Sequence, residues 1–229
     1  MIDHYDWPGG REAMLRLGPT NGPVVLAAMP LFEEANRSRA FIVAILRALA
    51  ERGIASALPD LPGTGESLIE TENASLTDWQ QAFLSASKLL SANHGSVHGL
   101  AVRGGTLLDS TARLESRWHF APVAGESLVR DMLRTCLAIG GTSGAMDPAG
   151  PPIELAGNRL SQALLADLAE ATPSSKAPLR TVRLDTDPLP ADRQVIGAPL
   201  WRRSEPGNDP ALASLLADDI AAWIATCVG

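Results

Sequence analysis

The chain has 229 residues, 45% of them hydrophobic and 20% charged, which suits one globular domain with a sizeable core. A formal net charge of −7 and a pI near 5.1 give no reason to expect a nucleic-acid or anionic-membrane partner. Two distant cysteines, Cys136 and Cys227, form neither a disulfide framework nor a metal-ligating pattern.

They read as reduced thiols of a cytoplasmic protein. The first residues lack the basic and apolar regions of a secretory signal, and no run of about 18 apolar residues suggests membrane insertion. Weak alternation over residues 13–17 predicts a strand. Residues 24–29 are a continuous apolar run ended by Pro30, the pattern of a strand buried on both faces. Phe41, Ile42, Ile45, Leu46 and Leu49 recur with helical spacing and predict a helix over 38–52, with Ser38 as N-cap and Gly53 as C-cap. A second buried strand follows at 54–59. A helix over 76–90 has Ser75 or Thr77 as cap and Asp78 in its first turn.

Residues 94–100 predict a third strand, 104–114 a helix and 117–122 a fourth strand. This alternation predicts an α/β fold, a mostly parallel sheet with helices on both faces. Beyond it come a helix over 127–138, a polar, small-residue connector over 140–152, a helix over 161–171 and strands at 179–184 and 195–201. A closing helix covers 209–226. The expected organisation is one domain over 1–229, with 126–175 as a reduced cap or connector.

In such sheets ligands gather at the carboxyl ends of parallel strands, here loops 30–39, 60–67 and 99–105. In the first, Glu33 and Glu34 can pair with Arg37 or Arg39, and the helix start offers free N–H groups. The second contains Gly63-Thr64-Gly65 but neither GxGxxG nor a P-loop lysine, so nucleotide binding is set aside. The third stands where a nucleophile elbow, G-x-S-x-G, turns from strand to helix. In Gly99-Leu100-Ala101-Val102-Arg103, Ala101 takes the serine place and Arg103 the closing glycine place. Arg103 either projects a guanidinium into the cleft or pairs with an acid.

The histidines are His4, His94, His98 and His119, all in the first part of the chain, whereas a hydrolase triad ends in its histidine. His98 and His119 fall in predicted strands and read as packing residues. Asp185 and Asp187 follow the 179–184 strand, where a triad acid would stand, but they have no serine and histidine to serve. No residue is assigned as catalytic, and no metal or cofactor is expected.

Met29-Pro30-Leu31-Phe32-Glu33-Glu34-Ala35-Asn36-Arg37-Ser38-Arg39 resembles the oxyanion-side loop of hydrolase-like proteins associated with exosortase and PEP-CTERM sorting systems. Residues 57–67, containing Asp60-Leu61-Pro62-Gly63-Thr64-Gly65-Glu66-Ser67, resemble a widespread α/β-hydrolase segment, and residues 154–161 and Pro199-Leu200-Trp201 are similar to the sorting-system group. The resemblance implies an α/β-hydrolase core with degenerate catalytic positions and a link to exopolysaccharide or surface-protein sorting.

The leading functional expectation is a small-molecule-binding or accessory protein. Its cleft would be lined by Phe32, Glu33, Asn36, Arg37, Asp60, Ala101 and Arg103, with Arg37 and Arg103 anchoring an anionic group of a small molecule or a protein partner. The alternatives are an acyl hydrolase using Ser67, Ser127 or Ser143, and a protein-interaction subunit exposing apolar surface around Trp201 and the closing helix. The residues leave the enzyme question open among these.

Overall fold

The computed structural model describes residues 1–138, 147–155 and 157–227. Strands β1 (Ile2–Trp7) and β2 (Gly10–Leu17) form an antiparallel hairpin. β1 was not foreseen: its inward residues are only Tyr5 and Trp7, alternating with polar ones over six positions. The buried runs become β3 (Val24–Ala28) and β4 (Ala55–Pro59), every residue of which is buried.

The helix expected from residue 38 starts earlier, as α1 (Glu33–Glu51). Ser38 is therefore not an N-cap. It lies inside the helix, buried, and its hydroxyl donates to the Glu34 carbonyl at 2.5 Å. The capping of α2 (Leu76–His94) matches the sequence expectation: the Ser75 hydroxyl accepts from the Asp78 N–H while the Asp78 carboxylate accepts from the Ser75 N–H. Replacing Ser75 with alanine is expected to cost about 1 kcal/mol; urea denaturation checks this, and an unchanged midpoint would show that the box contributes nothing.

The third parallel strand is β5 (Val97–Val102), beginning later than expected because His94 closes α2. The helix expected over 104–114 shrinks to a 3-10 turn, Arg103–Leu107. Gly104 and Gly105 have low helix propensity, and the Thr106 hydroxyl donates back to the Arg103 carbonyl at 2.7 Å. Then come β6 (Ser116–Phe120), α3 (Gly125–Ala138), an unforeseen hairpin of β7 (Ile153–Leu155) and β8 (Asn158–Leu160), α4 (Gln162–Glu170) and β9 (Leu179–Leu184). The last strand, β10 (Arg193–Val195), ends before a 3-10 turn at Leu200–Arg202, and α5 (Pro210–Cys227) closes the chain. Of the expected 140–152 connector, residues 140–146 lie outside the described residues.

The main sheet has the order β1-β2-β4-β3-β5-β6-β9-β10, parallel from β4 onward, with β2 antiparallel to β4. Side chains alternate between two cores. Val24, Leu26 and Ala28 join Trp79, Phe83 and Leu164 on the face of α2, α3 and α4. Val25 and Ala27 join Phe41, Ile45, Leu216 and Ile220 on the face of α1 and α5. The sheet is mostly parallel with helices on both faces, as its alternating elements require. α5 is long and apolar enough to cross a membrane by length and composition, yet Leu212, Leu216, Ile220 and Ile224 are buried in this second core.

Candidate functional site

The candidate residues stand in or just beyond the carboxyl ends of β3, β4 and β5. At the end of β5 the backbone turns sharply at Arg103, whose φ of 54° lies in the left-handed region, a strained conformation for a residue with a Cβ. Two residues on, Gly105 is pressed against the end of β3. A Cβ there would lie 2.4 Å from the Met29 carbonyl oxygen and 2.5 Å from that of Ala28.

The turn is thus centred on Arg103, two residues beyond its expected place at Ala101. Ala101 is not at the turn. It pairs with Ala28 and His119 within the sheet and is 1% exposed. The strand continues because Ala101 and Val102 still find ladder partners in His119 and Phe120.

The Arg103 guanidinium grips Glu34 through two nitrogens, with Nε at 3.2 and 3.3 Å from the two carboxylate oxygens and Nη2 at 2.9 Å from one of them. Its other partner is Trp201, whose ring centroid lies 5.0 Å from the guanidinium carbon. Arg37 donates to Glu33 at 2.9 Å and to the Trp201 carbonyl at 3.3 Å. Both arginines expected to anchor an anion therefore carry carboxylates of this chain. Trp201 is 6% exposed, so it presents no apolar face for a partner.

Asp60 is held within its own loop. Its carboxylate accepts from the Glu66 N–H at 3.1 Å, lies against Gly65, and is 4.0 Å from Arg39. Ser67 donates to Glu12 and accepts from the Gly63 and Ile69 N–H groups, which leaves it a loop fastener. Ser127 accepts from Arg130 at 3.0 Å, and Ser143 lies outside the described residues.

The expected cleft residues separate into two cavities. Phe32, Asn36 and Asp60 line one of about 420 Å³, floored by Trp79 and Phe83. Phe32, Glu33, Arg37 and Arg103 line one of about 230 Å³. Ala101 lines neither. A third and larger cavity, about 710 Å³, opens on the other side of Arg103 and includes His119, Arg183, Asp187 and Trp201. Sequence reasoning missed it because its walls come from β6, β9 and loops remote in the chain. The signals in the sequence were scattered: Arg103, Ser127, Asp187 and Trp201 line this cavity, but nothing local joins them.

One of those acids, Asp187, is tied to Arg183 at 2.7 Å and to the Leu189 N–H at 3.0 Å. Burial pushes its carboxyl up, but the Leu189 N–H, Arg183 and the more distant Arg103 outweigh this and hold it below the usual carboxylate range. His98 is buried against the Ser116 hydroxyl at 2.8 Å, and burial lowers its pKa. Among the described residues no group of three or more His, Cys, Asp or Glu side chains could hold a metal ion.

No protein-family model matches the chain, and no curated protein matches it. Solved structures do. Est1E from Butyrivibrio proteoclasticus superposes with a TM-score of 0.67 at 13% identity, covering 99% of this chain and 98% of that one. XC6422 from Xanthomonas campestris, described as an α/β serine hydrolase without a lid, gives 0.59 at 12%, covering 97% and 94%. The bottromycin epimerase BotH gives 0.58 at 16%, covering 95% and 98%. At these identities the likeness shows the fold: the chain has the α/β-hydrolase fold.

Proposed function

We propose that this protein is a non-hydrolytic, small-molecule-binding or accessory protein built on the α/β-hydrolase fold. The observation that carries the reading is Arg103. A guanidinium bound to Glu34 and covered by Trp201 stands at the strained strand-end turn, the position from which a hydrolase of this fold presents its nucleophile. Trp201, reaching the turn from the segment between β10 and α5, is the residue that meets Arg103 where the fold order would bring a histidine. An arginine cannot form an acyl-enzyme, and an indole cannot take a proton as a base. Fold likeness to a serine hydrolase does not carry its chemistry across.

An anionic ligand at this turn would share Arg103 with Glu34. The motifs at 29–39, 154–161 and 199–201 favour a role beside exosortase-linked or exopolysaccharide processes, and the two unpaired cysteines favour the cytoplasm. The pure protein is expected neither to label with a fluorophosphonate probe nor to turn over short-chain activated esters. Arg103→Ser should behave the same, because no histidine follows the last strand, where the fold order would bring one. Stoichiometric labelling of one serine, with turnover lost when that serine is replaced, would instead establish a hydrolase with an unconventional nucleophile.

A further inference from the structure

We propose that the 710 Å³ cavity is a binding site for a small hydroxy-carboxylate, with the His119–Asp109 pair as acceptor of the ligand hydroxyl. This rests on the reading of the protein as a binder and names the chemistry of its ligand.

His119 sits within β6, between Ala101 and Thr181 in neighbouring strands, and is 1% exposed. Its Nε2 lies 2.8 Å from Asp109 Oδ2. Asp109 is fully buried, 3.6 Å from the Arg117 guanidinium, which also donates to the Asp109 and Ala112 carbonyls. A carboxylate beside that fixed cation is an acceptor, so Nε2 donates in this pair and Nδ1 is the ring nitrogen left for a ligand. Nδ1 makes no hydrogen bond among the described residues, and His119 forms part of the cavity wall. A ligand hydroxyl donating to Nδ1 would form a hydrogen bond that the described residues do not make there.

The walls also carry charge. Arg103, Arg130, Arg183 and Arg202 line the cavity against Asp131 and Asp187, an excess of cations in a chain of net charge −7. Arg103, Arg130 and Arg183 each face a carboxylate, Glu34, Glu126 and Asp187 respectively. The exposed Arg202 side chain forms no ion pair among the described residues, so it is the cation free to meet a ligand carboxylate. A fully ionised dicarboxylate offers Arg202 an acceptor but His119 no donor, whereas a hydroxy-carboxylate carries both groups. The volume falls within the range of small-molecule sites, roughly 300–1,000 Å³.

The test follows the imidazole nitrogens by long-range 1H–15N spectra of uniformly labelled protein. The apo protein is expected to show His119 as the Nε2-protonated tautomer. Millimolar L-malate, citrate or D-gluconate is expected to move the Nδ1 resonance, with at least one of them binding about tenfold more tightly than succinate, the worth of one hydrogen bond. Arg202→Ala, an exposed substitution, should weaken that binding about tenfold while leaving the tautomer unchanged. A mixed or Nδ1-protonated tautomer, no response to any of the three hydroxy-carboxylates, or an equal response to succinate would each overturn the proposal. Fluorophosphonate labelling decides the first reading separately: an unlabelled protein whose His119 ignores all three probes keeps that reading and loses this one.

Discussion

Asp219→Ala is expected to lower folding stability by about 3–5 kcal/mol, the usual effect of removing one partner of a buried ion pair. Asp219 lies on α5 at 5% exposure and fastens that helix to three strands. Its carboxylate accepts from Trp118 Nε1 of β6 at 2.8 Å, from Arg180 of β9 at 2.8 and 2.9 Å, and from Arg193 of β10 at 2.5 Å. Truncation leaves a buried indole N–H unsatisfied and two guanidinium groups without their counter-charge. Burial alone would raise the Asp219 carboxyl, but the hydrogen bonds from Arg180, Trp118 and Arg193 outweigh it and hold the pKa down to about 2. A depressed carboxyl stabilises the fold once pH exceeds its unfolded value near 4, and that stability fades as pH falls from 4 towards 2. The native chain should therefore lose roughly 2 kcal/mol across this window from Asp219, and Asp219→Asn should flatten that part of the profile. Urea titrations at pH 7, 4 and 2.5 measure both effects; an alanine variant within 1 kcal/mol of the native chain at pH 7 would show that the cluster is only a surface decoration.

Gly105→Ala should be nearly as damaging, at about 3 kcal/mol, and it acts on the candidate site. The added methyl would meet the Met29 oxygen at 2.4 Å, the Ala28 oxygen at 2.5 Å and the Ala28 carbonyl carbon at 2.9 Å. All three are backbone atoms of the segment leading out of β3, so no side-chain rotation relieves the contact. The end of β3 must move away from the turn, and the loop it feeds, with Phe32 and Glu34, moves with it. The variant is expected to lose the Glu34–Arg103 contact along with stability. Gly22→Ala is the internal contrast: its φ of 83° carries backbone strain but a Cβ there meets nothing within 4 Å, for a cost of about 1–2 kcal/mol. Equal urea midpoints for the two variants would mean that conformational strain, not the close approach to β3, governs Gly105.

Much of the fold was legible in the chain. The apolar runs at 24–29 and 54–59 and the helical spacing of Phe41, Ile45 and Leu49 identify buried strands and a two-faced sheet, because burial on one or both faces writes its period directly into the sequence. Ser75 and Asp78 mark a helix start for the same local reason. That no histidine follows His119 was readable from the sequence alone.

Where each strand stops was not readable, because that depends on ladder partners from elsewhere in the chain. Pairing with His119 and Phe120 carries β5 through Val102, buries Ala101 and delivers the strained turn to Arg103. The partner of Arg103 is likewise a tertiary matter: Glu33 and Glu34 are neighbours in sequence, yet the helix turns one towards Arg37 and the other towards Arg103. His119 looked like a packing residue because nothing local distinguishes it. Only the fold sets one ring nitrogen on Asp109 and places the histidine in a cavity wall drawn from separate strands and loops. Local periodicity and residue chemistry thus determined the architecture and left the second half of the chain without a histidine after His119, while the registry of strands remote in sequence decided which side chains meet.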